Sequence, residues 1–331
     1  MTAIDPGSFN HRQAKLSTGR TYHFVDELPS NYEHGRTPVL LCVHGFPDLW
    51  YGWRNQIKPW RDAGYRVIVP DMLGYGGTDK PHDPAEYTTK KLCNDLAALL
   101  DLLDVRKAVL IGHDWGAYVV GRFALWHPQR LLALVIISVP YMPRPPAYVS
   151  LDEMIKRFPN WAYQGYLNSP QSTGFIEARL PRFVQLLFSR RGGGELFRNF
   201  EGTLAREDKK YEVWLSDEEQ RYYVQEFSKG MRGPTNYYRT TKLRFDEEQA
   251  ANLPISLPAD LSVLLLWGTK DRSTHPQAVA ASSKFVPRLQ DVALEGGGHW
   301  LMLEKPEIVT AKVLEWLDAQ GIKGKRKGAK L

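Results

Sequence analysis

The sequence predicts an α/β protein: a mostly parallel sheet flanked by helices and interrupted by a long helical insertion. Three observations carry that expectation. Through the first 140 residues, short runs rich in Val, Ile and Leu alternate with longer segments of helical period, as expected of strands buried on both faces by crossover helices. From Tyr141 to about Leu253 no convincing strand pattern occurs, and aromatic, amphipathic stretches broken by Pro and Gly take its place. Strand-like runs resume at Val263, and an amphipathic helix follows them.

Taken in order, the first element is a hairpin from Ala14 to Phe24 with Thr18-Gly19 as its turn. Strands follow at Val39 to Val43, Tyr65 to Pro70, Ala108 to Ile111 and Leu131 to Ser138. Between them, Thr88 to Leu103 repeats Leu92, Leu96, Leu99, Leu100 and Leu103 at helical spacing, and Ala117 to Trp126 forms a second helix that stops before Pro128. After the insertion come strands at Val263 to Gly268 and Gln290 to Glu295. The helix Pro306 to Ala319 then puts Ile308, Val309, Val313, Leu314 and Leu317 on one side. The expected division is a core of residues 1–140 and 254–320, a helical cap of 141–253 and a basic, flexible tail of 321–331.

A chain of 331 residues with 43% apolar and 24% charged side chains can bury a large core and is too mixed for a disordered or fibrous protein. Its longest apolar run, Leu131 to Pro140, is half what a bilayer crossing needs. The N-terminal stretch mixes Asp, Pro, Asn, His and Arg where a secretory signal needs an apolar core. Cys42 and Cys93 are too few for a disulfide framework and lack metal-ligand spacing, so an intracellular, reduced protein is expected. The net charge of +6 owes five units to Lys323, Lys325, Arg326, Lys327 and Lys330, which leaves the body at about +1. No basic stripe remains for a nucleic acid to follow.

The chemistry concentrates in a few segments. Gly112-His113-Asp114-Trp115-Gly116 lies between a predicted strand and a predicted helix, where a sharp turn lifts its middle residue above the sheet and only glycine fits against the neighbouring backbone. Asp114 is therefore a candidate nucleophile, although a helix N-cap would also suit an Asp there. Val43-His44-Gly45-Phe46-Pro47 leaves the preceding central strand; the Phe46 amide, with that of Trp115, could form an oxyanion hole, or the segment could be an ordinary turn.

Hydrolytic sites on such sheets run nucleophile, acid, histidine along the chain. His299 fits last place, because Gly296-Gly297-Gly298 lets its loop reach over the turn. His11, His23, His34, His82 and His127 look like surface or turn residues, His113 is expected to point to the opposite side, and His44 to brace its own loop. Asp271 follows a strand and precedes His299 by 28 residues, whereas Asp260 lies before that strand.

With His44-Gly45-Phe46-Pro47, Gly74-Tyr75-Gly76-Gly77-Thr78-Asp79-Lys80-Pro81, Gly112-His113-Asp114-Trp115-Gly116, Lys270-Asp271 and Gly298-His299-Trp300, the chain from about Arg20 to Ala319 resembles the α/β-hydrolase fold family. Within it, the chain resembles the soluble epoxide hydrolases. The resemblance implies an α/β-hydrolase fold with an inserted cap, attack by Asp114 on an epoxide, a covalent ester, and water activated by His299 with Asp271. It also implies two cap tyrosines as acids. Arg232-Gly233-Pro234-Thr235-Asn236-Tyr237-Tyr238-Arg239 nominates Tyr238, with Tyr237 standing where the family commonly has Trp. Helical neighbours point about 100° apart, so one of the two faces the cavity. Asn160-Trp161-Ala162-Tyr163-Gln164-Gly165-Tyr166 nominates Tyr163, with Tyr166 as fallback.

Trp161 and Phe158, with Trp115, suggest a pocket for a small apolar epoxide. No metal or organic cofactor is required. A haloalkane or haloacetate dehalogenase shares the ester chemistry but usually carries Asn where this chain has Phe46 and lacks the paired tyrosines. An esterase would need Ser at position 114. A non-catalytic ligand receptor on the same scaffold is the alternative from another class, although every member of the expected triad is intact. No phosphatase-like domain of the kind found in two-part mammalian relatives is expected before the hydrolase. Finally, Ala329-Lys330-Leu331 resembles the small-basic-leucine peroxisomal address. That implies an import receptor as partner and the peroxisome as location, with the cytoplasm as alternative and nuclear import through the basic run as a third.

Overall fold

The central strands are built from residues with nowhere to go but inward. β3 (Val39–Val43), β4 (Arg66–Pro70) and β5 (Ala108–His113) are buried along their whole lengths, and each fully buried Val, Leu or Ile contributes about 1.5–3 kcal/mol. In the structure, a computed structural model describing residues 3–190, 196, 199–206, 211–274 and 276–325, they form the middle of one sheet. Its eight strands run β1-β2-β4-β3-β5-β6-β7-β8, where β1 is His11–Lys15, β2 Thr21–Glu27, β6 Leu131–Ile137, β7 Ser262–Gly268 and β8 Arg288–Leu294. β1 and β2 pair antiparallel, as do β2 and β4; all other pairs are parallel.

The expected hairpin is present but longer than its apolar residues suggested, because β1 is an exposed edge with little hydrophobic signal. The parallel pairs require crossovers, and helices supply them. α1 (Arg54–Asp62) joins β3 to β4, α2 (Thr89–Leu102) joins β4 to β5, and α3 (Trp115–Trp126) joins β5 to β6. Of these, α1 was not legible in the sequence: Pro59 lies inside it and its first turn reads Arg-Asn-Gln. Trp53, Ile57 and Trp60 nevertheless bury completely. α12 (Pro276–Ser282), α13 (Leu301–Glu304) and α14 (Pro306–Ala319) complete the sheet's covering.

Between β6 and β7 the chain is helical: α4 (Leu151–Arg157), α5 (Ala162–Asn168), α6 (Ser172–Glu177), α7 (Leu180–Leu187), α8 (Phe200–Leu204), α9 (Asp217–Phe227), α10 (Arg232–Asn236) and α11 (Thr241–Ala250). Among the described residues there, the strand-like pairing is one isolated bridge, Ser189 to Val213. Buried ion pairs tie this insertion to the sheet layer: Arg54 of α1 to Glu219 of α9 at 2.6 Å, and Arg122 of α3 to Glu248 of α11 at 2.7 Å. No helix among the described residues is long and apolar enough to cross a membrane. Ala329, Lys330 and Leu331 lie outside the described residues.

Candidate active site

β5 ends at His113 and α3 begins at Trp115, so Asp114 alone turns the chain from strand to helix. Its backbone sits at φ 54° and ψ −119°, a conformation that costs a non-glycine residue about 1–3 kcal/mol. The flanking glycines make the turn possible. A Cβ on Gly112 would stand 2.4 Å from the Gly116 carbonyl oxygen, and one on Gly116 would stand 2.0 Å from that of Val43. Asp114 occupies the N-cap position of α3 but its side chain makes no capping bond. Instead Oδ1 accepts the Phe46 amide at 2.8 Å, and Oδ2 lies 3.5 Å from His299 Nε2.

His299 reaches the turn from the loop after β8, and Asp271 from the loop after β7. Nδ1 of His299 donates to Asp271 Oδ2 at 2.9 Å. The other Asp271 oxygen accepts the Ser273 amide at 2.8 Å and the Ser273 hydroxyl at 2.7 Å. The histidine's backbone is gripped as closely as its ring. Its carbonyl accepts from His113 Nε2 at 2.9 Å and from the Ser138 hydroxyl at 2.8 Å. Glu304 accepts the amides on either side, Gly298 at 2.7 Å and Trp300 at 2.9 Å. His113 thus faces His299, with ring centroids 4.8 Å apart, rather than turning to the opposite side.

These contacts decide protonation. Burial opposes charge on Asp114, but the hydrogen bond and charge of His299, with the Phe46 amide, outweigh it and hold the carboxyl below its usual range. Burial likewise opposes ionisation of Asp271, and His299 with the two Ser273 donors reverses that effect, so its carboxyl is also lowered. For His299, burial lowers the pKa, but the Asp271 charge and the contacts to Asp114 and Asp271 lift it well above the usual histidine range. His113 is pushed down to about 4, chiefly by burial and then by the His299 charge. It is therefore a neutral brace.

His44 holds its own loop, as its position suggested: Nδ1 donates to the Gly45 carbonyl at 3.0 Å and Nε2 accepts the Met72 amide at 2.9 Å. That loop presents the Phe46 amide. Trp115, first residue of α3, carries an amide without an intrahelical partner by its position.

Above the loop, Tyr238 packs its ring edge-on against Phe46 at 4.9 Å and Trp115 at 5.3 Å. Tyr163 meets Tyr238 at 6.1 Å. Both phenols are raised well above the usual tyrosine range, Tyr163 by burial and then the Asp114 charge, Tyr238 by burial, Tyr163 and Asp114. Tyr237 turns elsewhere, its hydroxyl donating to the Leu73 carbonyl at 3.0 Å. Tyr166 stacks on Phe200 at 4.9 Å within the insertion. Trp161 and Phe158 pack together at 5.0 Å, and Phe158 is 50% exposed.

Sequence reasoning missed Ser273, Ser138 and Glu304. Asp271-Arg272-Ser273 carries a local signal, the Asx-type turn that an Asp makes with the amide two residues on; Ser138 acts across 161 residues, and Glu304, only four and six residues from the amides it accepts, belongs to no motif that marks such a role. Among the described residues, no cluster of His, Cys, Asp and Glu is arranged to hold a metal ion.

The chain has relatives of known name and structure. A family model described as alpha/beta hydrolase fold matches residues 38–306. The chain is 32% identical to Bifunctional epoxide hydrolase 2 of Sus scrofa over 96% of its own length, and spans 57% of that relative. It is 35% identical to Epoxide hydrolase A of Mycobacterium tuberculosis, covering 85% of this chain and 90% of the relative. The crystal structure of Epoxide Hydrolase A from Mycobacterium thermoresistibile superimposes with a TM-score of 0.81 at 28% identity, over 94% of this chain and 98% of that one. With an aspartate at the turn, a histidine and second aspartate behind it and relatives of this kind along nearly its whole length, the chain belongs to the α/β-hydrolase fold family and, within it, to the epoxide hydrolases.

Proposed function

We propose that this protein hydrolyses small apolar epoxides to vicinal diols through an ester on Asp114. The observation that carries the reading is the position of Asp114, an ionised carboxylate on a strained turn with buried phenols above it and the His299–Asp271 pair beside it. A carboxylate needs no base in order to attack. Oδ1 is held by the Phe46 amide, so Oδ2 forms the bond to a ring carbon as the carbon–oxygen bond of the epoxide breaks. Tyr238 or Tyr163 donates its proton to the departing oxygen.

Esterification removes the negative charge of Asp114, which helps hold the proton on His299. The imidazole then gives that proton up, by way of water, to the tyrosinate left by ring opening, which restores the phenol, and becomes a base oriented by Asp271. It deprotonates a water that attacks the ester carbonyl carbon, while the Phe46 and Trp115 amides stabilise the oxyanion. Collapse breaks the bond between that carbon and Oδ2, releases the diol and restores the carboxylate. The test is turnover of a chromogenic aryl epoxide by the purified protein. Diol formation that disappears in Asp114→Ala supports the reading; undiminished turnover by Asp114→Ala overturns it.

A further inference from the structure

We propose that Ser273 is a positioning residue for ester hydrolysis, fixing Asp271 and His299 during the interval when Asp114 is esterified. This inference rests on the reading above. The argument is a count of protons. Thr274 Oγ1 lies 3.3 Å from Asp271 Oδ2, but its one hydroxyl proton goes to the nearer Ser138 carbonyl, which leaves His299 Nδ1, at 2.9 Å, as the donor to that oxygen. Ser273 likewise has one, and Asp271 Oδ1 takes it at 2.7 Å beside the Ser273 amide at 2.8 Å. The Ser273 oxygen also lies 3.0 Å from His299 Nδ1. That nitrogen already carries the proton shared with Asp271, so the serine oxygen can only accept, as the weaker branch of a forked bond. One residue thus pins the carboxylate with two donors and takes a share of the ring's proton.

Its importance depends on the stage of reaction. In the free enzyme, His299 is also held from its other side by the charge of Asp114, 3.5 Å from Nε2. Once Asp114 is an ester that charge is gone, and beyond the packing of His113 and Trp300 the ring is oriented by its hydrogen bonds at Nδ1. Loss of the Ser273 hydroxyl should therefore slow hydrolysis and spare alkylation.

Rapid-quench kinetics on an aryl epoxide, with the ester followed by intact mass, separates the two steps. Ser273→Ala should form ester at the wild-type rate, hydrolyse it on the order of tenfold more slowly, the effect of one hydrogen bond to a charged group, and accumulate it at steady state. Ser273→Thr, which keeps the hydroxyl, should restore hydrolysis. Equal slowing of both steps in Ser273→Ala, unchanged hydrolysis because water replaces the exposed hydroxyl, or no rescue by threonine would each overturn the proposal. If the wild-type protein itself forms no ester, the failure lies instead with the proposed function.

Discussion

Asp114 combines two properties that oppose each other in a free amino acid: it is largely buried, and it is held ionised below the usual carboxylate range. Since the phenols of Tyr163 and Tyr238 are raised by burial and by that same charge, the proposed alkylation would have its nucleophile ionised and its acids protonated throughout the neutral range. Its single-turnover rate should stay flat between about pH 5 and 9. Hydrolysis requires neutral His299, so its rate should fall as pH drops, and its midpoint should lie below the His299 pKa of the free enzyme because esterification removes the Asp114 charge. Stopped-flow traces at several pH values check both limbs. Tyr163→Phe and Tyr238→Phe should each raise the alkylation barrier by about 2–4 kcal/mol, and together nearly abolish ester formation. Full alkylation by Tyr238→Phe would contradict the assignment. Asp114, Asp271 and His299 were legible because chain order and glycine context single them out. Ser138 and Glu304 were not, because they act on the backbone of a segment more than 150 residues away in one case and through amides rather than side chains in the other.

The turn between β5 and α3 depends on how close α3 lies to β3. Gly116→Ala would drive a methyl group into the Val43 carbonyl, 2.0 Å away, with backbone on both sides and no flexible side chain to move. It should destabilise the protein by at least about 1–3 kcal/mol, the usual cost of overpacking, measured as a lowered urea midpoint. The helices of the insertion depend on buried charge for their attachment. Glu248→Ala would leave Arg122 buried without its carboxylate, which should cost about 3–5 kcal/mol, and the double change Arg122→Met with Glu248→Leu should cost less than Glu248→Ala alone. An equal or greater loss in the double variant would show that the pair is not the attachment. Strands β3 to β7 were readable from their Val, Ile and Leu runs, since burial on both faces leaves no other composition. Helix α1 escaped notice because its own polar first turn and Pro59 mask a face that only packing reveals, and β1 because an exposed edge carries no apolar pattern.

The fold brings its chemistry together through strand order. β5 lies between β3 and β6, with β7 and β8 next along the sheet, so the loops after β3, β5, β7 and β8 supply Phe46, Asp114, Asp271 and His299. Parallel strands put those loops at one end, and the insertion after β6 lowers Tyr163 and Tyr238 over them. The alternation of strands and helices announced that architecture. The placement of the tyrosines came instead from resemblance, because among 16 tyrosines no local pattern marks the ones that face a cavity. A single turnover in oxygen-18 water, with enzyme in excess over epoxide, tests the ester mechanism most directly. In the proposed mechanism water attacks the carboxyl carbon of Asp114, so the label should appear in the Asp114 side chain and the diol should be unlabelled. Labelled diol in that first turnover, with Asp114 unlabelled, would mean that water attacks the epoxide itself.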